Sequence, residues 1–364
     1  MTITAPPPRS PLGPASGSGT GRTRPSSGFK PLVGRVKAAG LLEPRIDWYV
    51  GHALVLTAGL VVLAAAVILV APSWWVVAVA VFAAFMSAQL SFLGHDAGHH
   101  QITSNRKVSH VIGLVLGNVL TGLSFGWWQD KHLRHHANPN HEGLDPDVGE
   151  GIISWSEKQY EKKSGAARWF SARQAWFFFP LLTLEGFHLK IAGLRSLRER
   201  PKGAQRLEAG LLIGHYVAYC GILFFLLSPL QAVAFILVHQ ALYGLQLGCA
   251  FAPNHKGMEM PAAGSRMDHL HKQVLTSRDV RGGFWVDLML GGLNYQIEHH
   301  LFPSIPRPNL RRAQPVIADY CTEIGLPFRI CGVVESYAEC LAHLDSVSAA
   351  DDLRQPVARP VLPA

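Results

Sequence analysis

Charged residues are scarce in this chain. Of its 364 residues only 16% are Asp, Glu, Lys or Arg, while 48% are hydrophobic. The apolar residues form four long runs, at 51–71, 74–93, 207–227 and 230–252. Each run has about the 20 residues that an α-helix needs to cross a bilayer. Short turns at Pro72-Ser73 and Ser228-Pro229 join the runs into two hairpins, which disfavours buried helices of a soluble protein.

Cysteine is also rare. The chain has five cysteines, an odd number, and no Cys-x-x-Cys pair. We therefore expect neither a disulfide framework nor a thiolate metal site. A secretory signal is not expected either, because a long polar segment precedes the first apolar run, and that run is too long for a signal's apolar region.

Positive charge is placed unevenly along the chain, whose formal net charge is +8. Lys and Arg are frequent before the first and third runs, whereas the two hairpin turns carry no charge. The positive-inside rule predicts that both termini and the middle segment are cytoplasmic. A basic face suits anionic lipid headgroups, an acidic protein partner or a phosphate-bearing substrate. Since no recognition motif accompanies the charge, a nucleic-acid partner is not expected.

The predicted organisation is one membrane domain between two polar tails. Residues 1–30 are rich in Pro, Gly and Ser and are predicted to be disordered. Residues 31–345 form the membrane domain, and 346–364 form a C-terminal tail. Residues 111–125 are apolar but too short to span, so we predict a re-entrant or interfacial helix there. A second interfacial helix is predicted at 176–194.

Histidine stands out against these absences. Three short boxes contain seven of the 18 histidines, and an eighth, His255, stands between the second and third boxes. The boxes read His95-Asp96-Ala97-Gly98-His99, His132-Leu133-Arg134-His135-His136 and Gln296-Ile297-Glu298-His299-His300. Residues three or four apart share one face of a helix, so each box can direct its imidazoles to one place. Neutral imidazole binds iron, copper and zinc. So many imidazoles exceed the needs of one tetrahedral zinc, and the pattern predicts two metals.

The predicted topology brings the boxes together. Each hairpin leaves the cytoplasmic side and returns to it, so all three boxes and His255 emerge at one membrane face. We therefore predict an all-α integral membrane fold, with four transmembrane helices in two hairpins and a cytoplasmic helical cap that holds a di-metal site.

The type of ligand narrows the choice of metal. Soluble di-iron proteins use pairs of Glu-x-x-His motifs, and this chain has only Glu185-Gly-Phe-His188 near the boxes, without a partner motif. A nearly all-nitrogen site suits a redox metal that binds O₂. Counting ligands does not separate iron from copper.

The sequences HDAGH, HLRHH and QIEHHLFP, with the paired hairpins, resemble the membrane fatty acid desaturases over about residues 45–320. Gln296 at the start of the third box resembles the front-end acyl desaturases. The resemblance implies two irons that activate O₂ as a cosubstrate and introduce a cis double bond into a long acyl chain, with no catalytic residue apart from the metal ligands. The implied ligands are His95, His99, His132, His135, His136, His299 and His300, with His255 as an additional one.

The resemblance also suggests roles for four other residues. Gln296 is expected to be a weaker ligand or to act through water. Asp96 and Glu298 are candidates for orienting imidazoles through their ring N–H groups, with ordinary solvated acids as the alternative, and Asn254 is expected beside the metal.

The resemblance implies partners as well. The short tail before Arg35 has no cytochrome b5-like segment, so the electrons are expected from a separate ferredoxin or flavin reductase, an arrangement typical of bacterial desaturases in the cell membrane. The substrate would be an acyl-CoA or acyl lipid among membrane lipids. Two alternatives stay open. One is an acyl or lipid hydroxylase or ketolase on the same scaffold. The other is a histidine-rich membrane metal transporter, although transport favours ligands at mid-membrane.

Overall fold

A computed structural model describes residues 28–71 and 73–349. Most of the two predicted tails, residues 1–27 and 350–364, and Pro72 lie outside the described residues. The α-helices are α1 (Phe29–Ala38), α2 (Ile46–Val70), α3 (Val76–Gly98), α4 (Arg106–Leu114), α5 (Phe125–Ala137), α6 (Glu157–Glu161), α7 (Gly165–Ser171), α8 (Gln174–Ser196), α9 (Lys202–Leu226), α10 (Pro229–Phe251), α11 (His269–Leu275), α12 (Phe284–Met289), α13 (Gln296–Leu301), α14 (Arg307–Glu323) and α15 (Val333–Ser346). Short 3₁₀ helices lie at Pro146–Val148, Leu197–Glu199 and Ala252–Asn254, and a π-helix lies at Val115–Thr121.

The chain is a mostly helical membrane protein, and all four predicted apolar runs are helical. Five helical segments are long and apolar enough to cross a membrane: Ile46–Val70, Val76–Gly98, Gln174–Glu199, Lys202–Leu226 and Pro229–Asn254. The third of these contains the helix predicted as interfacial, which is longer than expected. The described residues thus offer one more candidate span than the four that were predicted.

Helix α8 packs closely against α10. A Cβ atom built on Gly186 of α8 would lie 2.4 Å from the carbonyl oxygen of Gln240, and one on Gly244 of α10 would lie 2.3 Å from the Gly186 nitrogen. Glycines that allow backbones to approach are typical of helix contacts inside membranes. The backbones of α8 and α10 are therefore in direct contact at these glycines.

The region predicted as a helix over 111–125 is broken in the structure. Helix α4 continues into the π-helix, which ends at Gly122 with a φ of 69°. Glycine adopts this left-handed conformation at little cost and therefore ends helices. Helix α5 then begins after Ser124, whose side chain accepts a hydrogen bond from the Trp127 backbone. The two segments meet at a bend of 115°, as in a re-entrant loop or a broken span.

Short helices from both ends of the chain pack together. Helices α1, α11, α13 and α14 enclose one hydrophobic core, which includes Leu32, Ile297 and Ile317. The all-α prediction missed one small feature, a parallel pair of two-residue strands, β1 (Asp279–Val280) and β2 (Ile330–Cys331). In this pair Asp279 faces Ile330 and Val280 faces Cys331, and β1 leads towards the third histidine box.

Candidate metal centre

The seven histidines of the boxes and His255 fall into two buried groups. The first group has five imidazoles that each offer a nitrogen within 4.8 Å of the others, from His95, His99, His132, His136 and His299. The Nε2 atom of His132 lies 2.8 Å from that of His99 and 3.0 Å from that of His136. Helices α3, α5 and α13 thus converge on one point.

The second group consists of His135, His255 and His300, whose nitrogens also lie within 4.8 Å of one another. The Nε2 atoms of His135 and His255 are 3.3 Å apart. The amide nitrogen of Gln296 lies 2.9 Å from the His255 Nε2 atom, so Gln296 belongs to this group. Its amide oxygen is 3.4 Å from the Asn254 amide nitrogen, which places Asn254 beside the group.

Neighbouring residues of one box serve different groups. His132 and His136 are one helical turn apart and face the first group together, because residues at i and i+4 share a face. His135 faces the second group from the same helix. In α13 the consecutive residues His299 and His300 likewise divide between the groups. Helices α5 and α13 therefore each contribute histidines to both groups.

The environment of the imidazoles fits bound metal. None of the eight rings is more than 8% exposed. Within residues 28–71 and 73–349, the Nε2 atoms of His95, His299 and His300 have no hydrogen-bond partner. An unpaired buried nitrogen costs about 1–3 kcal/mol, which metal coordination would offset. Burial also lowers the pKa of His299 and His300 well below the usual value, and ligation requires the neutral form.

The opposite ring nitrogens of the second group are held by hydrogen-bond acceptors. The Nδ1 atom of His135 lies 2.9 Å from Asp145, that of His300 lies 3.0 Å from the Gln273 side-chain oxygen, and that of His255 lies 3.0 Å from the Thr276 carbonyl oxygen. Such acceptors keep Nδ1 protonated, leave Nε2 free for metal and fix the ring orientation.

The profile of the fatty acid desaturase family matches residues 72–332, which include all three boxes. The chain belongs to the fatty acid desaturase family. It is 30% identical over 295 residues to an acyl-lipid (9-3)-desaturase of Physcomitrium patens, covering 76% of this chain and 54% of that protein. It is 29% identical over 316 residues to a Delta(8)-fatty-acid desaturase of Euglena gracilis, covering 83% and 74% respectively. A Delta(6)-fatty-acid desaturase of Caenorhabditis elegans is 28% identical over 291 residues, covering 75% of this chain and 65% of that protein. The chain therefore spans about half the length of the Physcomitrium patens relative.

Two acids predicted to orient imidazoles in this desaturase-family chain have other neighbours. The carboxylate of Asp96 lies 3.6 Å from His95 Nδ1 but 2.7 Å from the guanidinium of Arg307. Glu298 is fully buried, and neither of its oxygens bonds to an imidazole in the described part of the chain. Burial, and then the charge of Asp279, raise the pKa of Glu298 well above its usual value.

The sequence reasoning missed Asp145, Gln273 and the Thr276 carbonyl. A signal for the first was present, because Asp145-Pro146-Asp147 follows the second box closely. Asp147 also lies 3.4 Å from His135 Nδ1 and is ion-paired with Lys131. We interpret Asp145 and Asp147 as residues that orient the His135 ring through its Nδ1 atom, and not as ligands of a third metal. The reason is that His135 Nε2 already faces His255 in the second group.

Two histidines outside the boxes have ordinary hydrogen-bond partners. His239 contacts the Ser87 hydroxyl at 2.9 Å and the Tyr219 hydroxyl at 2.7 Å. His188 pairs with Glu185 at an exposed site. The single Glu-x-x-His pattern thus forms a surface pair and belongs to neither group.

Proposed function

We propose that this chain is an O₂-dependent fatty acyl desaturase that introduces a cis double bond into a long acyl chain. The observation that carries the proposal is the pair of adjacent buried histidine groups, whose residues all lie within the range that the family profile matches. The net reaction takes two hydrogens from neighbouring carbons. Together with two electrons and two protons, they reduce one O₂ to two waters.

In this proposal each histidine group holds one iron, and the iron pair supplies the activation of O₂ when bound. Five imidazoles would hold the first iron. His135, His255 and His300 would hold the second, with Gln296 as a weaker or water-mediated ligand. This second group would supply fewer imidazoles to its metal than the first group.

The residues around the second group have a separate task. Asp145, Gln273 and the Thr276 carbonyl accept the ring N–H groups and so hold the imidazoles in the tautomer that presents Nε2. Asn254 holds the Gln296 amide. The burial of all these groups keeps bulk water from the reacting acyl carbons.

The finer points of the proposal concern orientation and partners. We infer that both termini and the metal centre are cytoplasmic, because Lys and Arg precede the first and third apolar runs. The proposed location is a bacterial cell membrane. The substrate is a long-chain acyl-CoA or acyl lipid. Two electrons come from a separate ferredoxin or flavin reductase, which the basic cytoplasmic face would attract.

The alternatives differ in what they require of the same centre. A hydroxylase or ketolase would use the same ligands, so only the product distinguishes it. A metal transporter would place ligands near the middle of its spans. Here His95 lies near one end of the candidate span Val76–Gly98, and His255 directly follows the span Pro229–Asn254, which favours an enzyme at one membrane face.

The test is expression in a host membrane with a supplied ferredoxin and reductase, followed by mass spectrometry of the acyl chains. We expect an alkene at one position, and we expect His135→Ala to abolish it while the protein stays membrane-inserted. His188→Ala, at an exposed site, is the matched control and should retain the product. A metal-loaded active protein that adds a hydroxyl and never an alkene would contradict desaturation.

A further inference from the structure

Helix α12 exposes two large aromatic rings. Phe284 and Trp285 are each 71% exposed, and their ring centres are 4.9 Å apart. They follow Arg281, which is also exposed, and two glycines. Adjacent exposed aromatic rings mark a surface that is covered by something other than water.

The other end of α12 lies deep along two candidate spans. The side chain of Gln89 on α3 donates to the Leu288 carbonyl at 3.0 Å, and that of Gln246 on α10 donates to the Met289 carbonyl at 3.3 Å. At a helical rise of 1.5 Å per residue, Gln89 lies about 13 Å from the end of its span at Gly98. By the same rise, Gln246 lies about 12 Å from the end of its span at Asn254. The end of α12 therefore lies deeper along these two spans than the positions at which the candidate metal ligands begin.

The inner side of this segment is firmly held. Asp287 accepts hydrogen bonds from the Asn294 side chain at 3.0 Å and the Tyr295 hydroxyl at 3.3 Å. Leu290 and Leu293 are buried in the same core as Phe92 of α3. The orientation of α12 is thus set by the protein, and the aromatic rings remain on its outer side.

The non-helical segment that follows α12 is also compatible with a position inside a membrane. Lipid-exposed irregular backbone is not tolerated in hydrocarbon, but irregular backbone covered by protein is. At Gly291 a built Cβ atom would lie 2.2 Å from the Phe92 ring, and the Gly292 nitrogen donates to the Asp287 carbonyl at 2.9 Å. The return segment is therefore packed on protein and hydrogen-bonded.

We propose that residues 282–292 form a re-entrant membrane element, with Phe284 and Trp285 inserted into the lipid leaflet on the side of the metal centre. Arg281 lies at the headgroup level, since cations and tryptophan favour that interface. Lipid is favoured over a protein partner because α12 is continuous with the surface of two candidate spans and lies within their length. The proposal uses the spanning of α3 and α10, but it does not depend on the reaction.

The direct test places the photoreactive residue p-benzoylphenylalanine at 284 in the full chain, reconstituted into phosphatidylcholine–phosphatidylglycerol vesicles that carry an alkyne-tagged phospholipid. Phe225, 88% exposed near the end of α9, is the lipid-facing control, and Val334, 83% exposed at the start of α15 and outside the candidate spans, is the control for a site away from lipid. We expect lipid adducts at 284 similar to those at 225 and roughly tenfold above those at 334. Adducts at the level of 334, or crosslinks to a second copy or an added ferredoxin, would overturn the proposal.

A second measurement avoids the unnatural residue. Brominated phospholipids should quench part of the tryptophan fluorescence of the wild-type protein, and Trp285→Phe should remove a share of that quenching. Quenching by aqueous acrylamide should be nearly unchanged by the same substitution, which is the matched control. If Trp285→Phe reduces only the acrylamide quenching, the ring faces water and the proposal is wrong. Neither readout needs iron or turnover, so a failure of the proposed reaction leaves this test intact.

Discussion

The carboxylate of Asp96, next to a histidine of the first box, lies 2.7 Å from the guanidinium of Arg307, the first residue of α14. Both side chains are less than a tenth exposed. The Arg307 backbone nitrogen also donates to the Tyr49 hydroxyl at 3.1 Å. This buried pair ties the end of α3 to the helix that follows the third box, directly behind the metal centre.

Removing one member of this pair should be costly. We expect Arg307→Met to destabilise the protein by about 3–5 kcal/mol, because it leaves a buried carboxylate without a partner. The double variant Asp96→Asn with Arg307→Met should recover most of that loss. Thermal unfolding in detergent measures both. Arg312→Met, on the exposed side of the same helix, is the control, and an equal loss there would show that the pair has no special role.

Glu208 should matter as much for the position of the second histidine box as the Asp96–Arg307 pair does for the first. Its carboxylate accepts hydrogen bonds from the Ser124 hydroxyl at 2.7 Å and the Gly126 nitrogen at 3.2 Å, and it pairs with Arg200 at 2.9 Å. The buried Glu208 thus holds the start of α5, which carries three candidate ligands.

We expect Glu208→Ala to cost about 3–5 kcal/mol, since it leaves Arg200 unpaired. Ser124→Ala should cost only about 1 kcal/mol as the loss of a helix cap. Iron content per chain after purification should fall in the same order. The role assigned to Glu208 is wrong if Ser124→Ala proves the more damaging of the two.

Asp145 should control one metal more than the other. Among the candidate metal ligands that the structure describes, His135 is the one whose ring N–H Asp145 accepts. Asp145→Ala should therefore weaken metal binding at the second histidine group by about 10–100-fold and spare the first group. Competition with a chelator should therefore release one metal per chain early and the second late. Asp319→Ala, at an exposed position on α14, should leave the release curve unchanged. Loss of both metals together would contradict separate groups.

Glu298 should make the metal-free protein sensitive to pH. Burial and Asp279 raise its folded-state pKa, so its stabilising contribution is complete below the unfolded pKa of about 4.3 and is lost as pH rises through the folded value. Glu298→Gln does not titrate. Its unfolding temperature relative to the wild-type protein should therefore rise from pH 4.5 to pH 8. Glu157→Gln, at an exposed site, should show no such trend, and a flat difference for Glu298→Gln would refute the assignment.

Local patterns were enough to predict much of the centre. The spacing within each box predicted that its imidazoles share a place, and two hairpins predicted that the boxes meet. The structure gathers all eight predicted histidines, together with Gln296. The spacing did not predict that His135 and His136 face different groups, because that depends on the angle at which α5 meets α13 and the loop of His255.

Other features of the structure were not predicted from the sequence, for similar reasons. The sequence predicted an interfacial helix at 176–194 but not that it extends over Gln174–Ser196 and is apolar enough to be a candidate span. Asp145 and Gln273 are single polar residues, and nothing local separates them from solvated side chains. Glu298 was predicted beside an imidazole because of its place in the box, but its nearest charged neighbour comes from β1.

The sequence by itself determined the helical membrane class, the histidine boxes and their convergence, because hydrophobic runs and residues three or four apart act through local helical geometry. Only the tertiary structure decided how eight imidazoles divide between two groups, which acceptors hold their outer nitrogens and that Asp96 pairs with Arg307. These relationships join residues far apart in the chain. They depend on how helices cross and on which polar groups must satisfy one another once water is excluded.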